Sequence, residues 1–357
     1  MQPDRPPTGM ARATPQHSLG VAGPVLLATA AALATTALVV NEQARRAERA
    51  HPPIGRFLTV AGTRLHYTDS GGSGPALVLL HGNGSMIQEM QISGLVDAAA
   101  PHYRVITFDR PGHGHSERPR DRDWTPEAQA HLFRRAFVAL GLDRPIVFGH
   151  SWGTLVALAL GLDHPEAVRG LVLASGYYFP TARLDVPMFG AAAIPVIGDV
   201  MRHTVSPLLG RAIAPLMFRK IFAPREPTPH FMAEFPLDLA LRPSQIRATA
   251  EESAFMIPAA ARFEPRYGQL RMPVFIVTGA EDQYADPDRQ SARLYGAIPQ
   301  AELRVLPGLG HMAHHFAAGE MVKAVDAVAA AGAGTPASVR RDDLRRDHVR
   351  RDNRQPA

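Results

Sequence analysis

Cysteine is absent from the 357 residues, which excludes disulfides, a thiolate nucleophile and cysteine-ligated zinc. Histidine is plentiful at 16, yet no H-E-x-x-H or comparable ligand spacing occurs, and His314–His315 beside His311 is the one tight cluster. No metal and no cofactor are therefore expected. A nucleic-acid footprint is also lacking: the formal net charge of +5 comes from arginines gathered beside the N-terminal apolar run and in the last residues, not from a basic face. What is present is apolar. With 46% hydrophobic and 20% charged residues, the chain can bury a full core once its two ends are set aside.

The first apolar feature is the run GVAGPVLLATAAALATTALVV at residues 20–40, without one charge. A helix needs about 20 such residues to cross the hydrocarbon of a bilayer. A polar segment, 1–19, precedes the run, and Val39–Val40–Asn41–Glu42 offers no good cleavage site. It therefore reads as an uncleaved membrane anchor, with a signal peptide as the rival. Arg45, Arg46 and Arg49 come closely after it, whereas Arg5 and Arg12 stand farther off. The positive-inside rule thus tilts the folded domain toward the cytoplasm. Residues 41–55 read as a linker. At the other end, within 331–357, RRDDL, RRDHV and RRDNR form a five-residue repeat from Arg340 with no apolar face, which reads as a solvated tail.

Between the ends, RFLTV and RLHYTD alternate with the period of strands, separated by Ala61–Gly62–Thr63. PALVLLHG, YRVITFD, PIVFGH, GLVLAS, PVFIVTG and ELRVLPG are short, nearly continuous apolar runs, the signature of buried parallel strands. Helical stretches lie between them, such as 125–140, where Thr125 can cap the first turn ahead of Pro126. Strand and helix alternate, so the expected fold is α/β with a mostly parallel, doubly wound sheet. Its halves are 56–176 and 272–330. The stretch 177–271 holds no buried-strand run and reads as a helical cap.

One segment carries chemistry. PIVFGHSWGTLVALAL sets Gly149, His150, Ser151, Trp152 and Gly153 between a strand and a helix, the context in which G-x-S-x-G becomes informative. A strand that turns sharply into a helix holds Ser151 in a cramped conformation and leaves its hydroxyl exposed at the carboxyl end of the sheet. The new helix presents unpaired N–H groups there, including that of Trp152. A second donor is expected from the loop His81–Gly82–Asn83–Gly84, with the Asn83 N–H as the best candidate for an oxyanion hole. A serine nucleophile needs a base, and the base an orienting acid. Asp282 stands three residues after Gly279, past a strand end, and His311 lies beyond another strand and a glycine-rich turn. Asp286 could replace the first, and His314 or His315 could rival the second.

HGNG, DRPGHGHS, GHSWG, GAED after a strand and PGLGH, in that order, resemble the α/β-hydrolase superfamily over roughly residues 56 to 327. The resemblance implies eight strands, with Ser151 as nucleophile, Asp282 as acid and His311 as base, assembled at the carboxyl edge. It implies a serine hydrolase acting through an acyl-enzyme on a carboxylic ester or related acyl bond of a small-molecule substrate, small or lipophilic. C–C bond hydrolases, aminopeptidases and cofactor-free haloperoxidases share that triad, and a non-catalytic binding protein of this fold is a further alternative. Asn83 and Trp152 also match the halide-binding pair of haloalkane dehalogenases. With Ser151 in place of their aspartate, the Trp152 ring is expected to line the acyl or leaving-group pocket, with His150 touching substrate or packing beneath the nucleophile. The loop Asp109–Arg110–Pro111–Gly112–His113–Gly114–His115 is expected to do structural work. Met188, Phe189, Met201, Met217, Phe218, Phe222, Phe231, Met232, Phe235 and Met256 suggest either an apolar substrate lining or the cap's own core.

Overall fold

The computed structural model describes residues 22–181, 194 and 196–332. Met188, Phe189 and the arginine repeat lie outside these residues.

Eight strands form one sheet in the order β1-β2-β4-β3-β5-β6-β7-β8. They are β1 (Arg56–Val60), β2 (Thr63–Asp69), β3 (Ala76–Leu80), β4 (Arg104–Phe108), β5 (Ile146–His150), β6 (Gly170–Ala174), β7 (Val274–Gly279) and β8 (Ala301–Leu306). β1 and β2 pair antiparallel, with Val60 opposite Thr63. Their two-residue turn places Ala61 and Gly62 at φ 49° and 75°, the positive angles that a hairpin of this length requires. β2 joins β4 antiparallel, and every pairing beyond it is parallel.

The inner parallel strands β3 to β7 are buried on both faces, which explains their apolar runs, whereas the edge strand β8 is mostly accessible and carries Glu302 and Arg304. Alternate side chains divide between two cores. Val78, Leu80, Ile106 and Val147 pack on one face with α4 (Pro126–Ala139) and α5 (Gly153–Asp163). Leu77, Leu79, Val105, Ile146 and Phe148 pack on the other with α3 (Leu95–Ala99) and α12 (Ala318–Gly332). Truncating a side chain such as Phe148, fully buried here, costs about 3–5 kcal/mol in cores of this kind. Thr125 accepts from the Ala128 N–H at 3.3 Å ahead of Pro126, the expected helix start.

Helices α6 (Ile197–His203), α7 (Val205–Phe222), α8 (Pro229–Glu234), α9 (Leu237–Ala240) and α10 (Pro243–Phe263) lie between β6 and β7. Two short helices remain: α2 (Ile87–Ile92), after the β3 loop, and α11 (Arg293–Ala297).

The N-terminal helix α1 runs from Ala22 to Ala50 and is long and apolar enough to cross a membrane. It continues through the first ten residues of the expected linker. Glu42 pairs with Arg46 and Arg49 along that part, and the buried Val40 and Ala47 dock it on the protein. Asn41 meets His203 at 3.0 Å and Glu48 meets Arg242 at 2.6 Å, so packing and pairing keep helical what composition alone leaves open.

Candidate active site

β5 ends at His150 and α5 begins at Gly153, so only two residues carry the turn. Ser151 takes φ 51°, a left-handed conformation that costs a non-glycine residue about 1–2 kcal/mol. Close approach explains its neighbours. A Cβ on Gly149 would come 2.6 Å from the Gly153 carbonyl oxygen, and one on Gly153 would come 2.3 Å from that of Leu80. The Ser151 N–H donates to Ala174 O on β6 at 2.9 Å, and Thr154 Oγ1 donates to Ser151 O at 2.6 Å. The strained residue is thus held from both sides.

The loops after β7 and β8 meet above β7. Gly279 lies so near the Leu309 carbonyl that a Cβ there would come within 2.2 Å of its oxygen. This approach brings Asp282 to His311: Asp282 Oδ2 is 2.9 Å from His311 Nδ1, while Oδ1 accepts the N–H groups of Tyr284 and Ala285 at 2.8 and 2.9 Å. His311 Nε2 is 3.0 Å from Ser151 Oγ. The three residues named from sequence are therefore in one hydrogen-bonded line. Asp286 is exposed and accepts from the Arg289 N–H at 2.9 Å, whereas the carboxylate that meets His311 is that of Asp282.

Gly82 sits against the nucleophile, where a Cβ would lie 3.2 Å from Ser151 Cβ. The next residue, Asn83, anchors its side chain on α10, with Nδ2 donating to Thr249 O at 3.0 Å and Ser253 Oγ at 3.1 Å. Among the described residues, the backbone N–H groups of Asn83 and Trp152 have no acceptor, which leaves them free for an external oxygen.

The Trp152 ring differs from expectation. It is 1% exposed and does not line the cavity. Its Nε1 donates to Glu252 O on α10 at 2.9 Å, and the Arg110 guanidinium lies 4.6 Å from the ring centroid. The physical reason is the buried pair beside it. Arg110 and Glu252, both inaccessible to solvent, meet through two hydrogen bonds of 2.5 and 2.9 Å. Arg110 also donates to the carbonyls of His81 and Gly82, both at 2.8 Å. The loop bearing Arg110 therefore does structural work. Asp109 contributes by accepting from the Ile87 and His115 N–H groups. Glu252 was missed as a site residue, although the sequence carries a signal: it falls on the buried stripe Ala248–Glu252–Met256–Ala259–Phe263 of α10, where a charge demands a partner.

A cavity of about 380 Å³ opens above Ser151 and His311. His150 and Tyr284 contribute to its wall, and the cap supplies Met201, Met217, Phe218, Phe231 and Phe235. Of the other apolar cap residues named, Phe222 and Met256 are packed in the interior and Met232 is exposed. Both readings of that set therefore hold, for different members. No Lys or Arg lines the cavity among the described residues, and Glu89 is its one carboxylate.

Glu89, His314 and His315 present ligand atoms within 4.8 Å of one another and are the residues that could hold a cation. Glu89 Oε1 lies 2.6 Å from His314 Nε2 and 2.7 Å from His315 Nε2, so hydrogen bonds already account for the grouping. Burial opposes the Glu89 charge, but His314 and His315 outweigh it and hold the carboxyl well below its usual range. The His150 ring centroid lies 4.2 Å from that of His314, with the two rings tilted by 49°. Burial, reinforced by His314 and His311, pushes His150 well below an ordinary imidazole, so a neutral ring lies beside the nucleophile. Its Nε2 donates to His311 O at 3.1 Å.

A family model for the alpha/beta hydrolase fold matches residues 75–318. The chain is 30% identical over 273 residues to a 2-hydroxymuconate semialdehyde hydrolase of Pseudomonas putida, covering 73% of this chain and 88% of that protein. It is 25% identical over 286 residues to haloalkane dehalogenase 2 of Mycobacterium tuberculosis, covering 77% and 94%. The enol-lactonase structure from Burkholderia xenovorans superposes with a TM-score of 0.59 at 23% identity, over 77% of this chain and all of that one. With eight strands in one mostly parallel sheet and a family match over more than half its length, the chain belongs to the alpha/beta hydrolase fold family.

Proposed function

We propose that the protein is a serine hydrolase that cleaves a carboxylic ester or related acyl bond of a lipophilic substrate through an acyl-enzyme. The observation that carries this reading is the line Asp282–His311–Ser151, with gaps of 2.9 and 3.0 Å. Ser151 Oγ attacks the acyl carbon as His311 Nε2 takes its proton, and Asp282 holds the imidazole tautomer and stabilises its charged form. The developing oxyanion is met by the N–H groups of Asn83 and Trp152; one such donor is worth about 10²- to 10³-fold in rate. His311 then passes its proton to the leaving alcohol, and water, activated by the same ring, releases the acid. The apolar cavity supports a neutral, greasy acyl chain.

Two rival reactions fit less well. A C–C bond hydrolase acting on a carboxylate such as a muconate semialdehyde would be favoured by a cation in the cavity, and no Lys or Arg lines it among the described residues. Halide displacement would leave Ser151 as a stable ether that water cannot cleave. It would also require free side-chain donors, whereas those of Asn83 and Trp152 are committed to α10.

Labelling by a fluorophosphonate and hydrolysis of a p-nitrophenyl ester test the proposal. Ser151→Ala should abolish both, since loss of such a nucleophile costs on the order of 10⁶ in kcat. Retained labelling in that variant, or multiple-turnover halide release by the wild type, would overturn it.

A further inference from the structure

Helix α7 is apolar on both of its faces. Ile213, Ala214 and Met217 turn toward the cavity. On the outside, Val205, Leu208, Leu209, Ala212 and Leu216 succeed one another at helical spacing and all are exposed, Leu208 by 50% and Leu216 by 70%. Ile197 and Val200 of α6 are exposed as well, Arg211, paired with Asp238, flanks the apolar residues, and the exposed Arg219 and Lys220 stand at the end of α7. Apolar residues on the outer surface of a helix whose inner side already lines a cavity suit an apolar surrounding. Contiguous exposed apolar surface rimmed by charge marks an interaction site, and basic residues at its edge suit a lipid interface.

The occupant is indicated by α1. Its buried residues, Val40 and Ala47, dock against the cap at α6 and α9, through Asn41–His203 and Glu48–Arg242. The uncharged part that precedes, Gly23–Val40, would span about 27 Å at 1.5 Å per residue, and Val25, Leu26, Leu27 and Leu38 are exposed along it. The end of the apolar stretch thus lies on the cap itself. If that stretch crosses a bilayer, the cap is held at the membrane surface.

We propose that the outer face of α6 and α7 seats in the lipid interface beside α1, and that acyl chains pass from the bilayer into the cavity at Leu209. That residue both lines the cavity and is exposed within the patch. The route for substrate rests on the serine ester hydrolase reading above; the membrane seat does not. The substrate is then a membrane-resident acyl ester whose chain never crosses water.

The absence of cysteine makes the test clean. Full-length Leu208→Cys and Leu216→Cys, labelled with an environment-sensitive fluorophore in vesicles of phosphatidylcholine and phosphatidylglycerol, should be quenched by nitroxide lipids and shielded from aqueous quencher. Val138→Cys, exposed on α4, should behave in the opposite way. Equal aqueous quenching at all three positions, or disulfide cross-linking of two copies of the Leu208→Cys variant, would overturn the seat. For the route, Leu208→Glu/Leu216→Glu should slow hydrolysis of a fluorogenic phospholipid in vesicles by at least about tenfold and leave a water-soluble ester within about twofold. An equal loss on both esters overturns lateral passage. Hydrolysis of neither by the wild type overturns the ester reading and the route with it, while quenching decides the seat separately.

Discussion

Arg110 and Glu252, 142 residues apart in sequence, form a fully buried bidentate ion pair that joins the loops of the sheet edge to the cap helix α10. Glu252 also accepts from Gln129 at 3.0 Å, and Arg110 holds the two carbonyls immediately before Asn83. The oxyanion loop and the cap are therefore fixed by one pair of charges.

Glu252→Ala should destabilise the protein by about 3–5 kcal/mol, because it strands a buried guanidinium. Glu252→Leu combined with Arg110→Met should recover much of that loss, as apolar replacements of buried pairs often do. It should nevertheless lower kcat, since the carbonyls of His81 and Gly82 lose their donor. Chemical denaturation and ester kinetics on the single and double variants check this, and additive stability losses would contradict the pair's coupling.

Asp282→Asn should reduce kcat by roughly 10⁴-fold by favouring the wrong tautomer of His311. Asp286→Asn should remain near wild type, since that carboxylate is exposed and its hydrogen bond is to the Arg289 N–H. A larger loss from the second change would reassign the acid.

Backbone strain at Ser151 gives a stability prediction separate from chemistry. With φ at 51°, Ser151→Gly should be more stable than Ser151→Ala by about 1 kcal/mol, because only glycine escapes the Cβ contact of the left-handed region. Both are inactive, so thermal melting isolates the backbone term. Equal melting temperatures would show that the turn relaxes when the hydroxyl is lost.

Acid should attack the site through His81. Burial, together with Arg110 and His113, brings its pKa down to about 3. The network explains why the ring is neutral: Nδ1 donates to Gly82 O at 2.7 Å and Nε2 accepts the Arg110 N–H at 3.0 Å. The unfolded chain binds this proton below about pH 6.5 and the folded chain does not until about 3. Stability is therefore full above the unfolded value and falls as pH drops through that window, by about 1.4 kcal/mol per unit. Melting temperatures between pH 7 and 4 should show the decline. His81→Asn, which cannot titrate, should be less stable at pH 7 yet flatter across the window.

The inner strands were legible because each is a short apolar run bounded by turns, β1 and β2 because they alternate with a two-residue period, and the serine because its elbow is a local pattern. Asp282 and His311 needed the resemblance, since sequence distance says nothing about which loops meet. Trp152 was misread for a related reason. Its position beside the nucleophile suggests a pocket, but the ring's direction is set by Arg110 and Glu252, and that partnership is tertiary. Helix α1 beyond residue 40 was likewise hidden, because its contacts lie on residues such as His203 and Arg242 that only the fold brings near.

Helix α10 and helix α7 divide the cap's labour. α10 grips Asn83, Trp152 and Arg110, whereas α7 meets the cavity through side chains such as Ile213 and Met217. Exchanging α6–α9 for the corresponding segment of a relative should therefore retune which acyl chains are accepted while leaving the reactive geometry in register. Changes in α10 propagate to the chemistry itself. In breeding new variants, the first segment is the dial and the second the chassis.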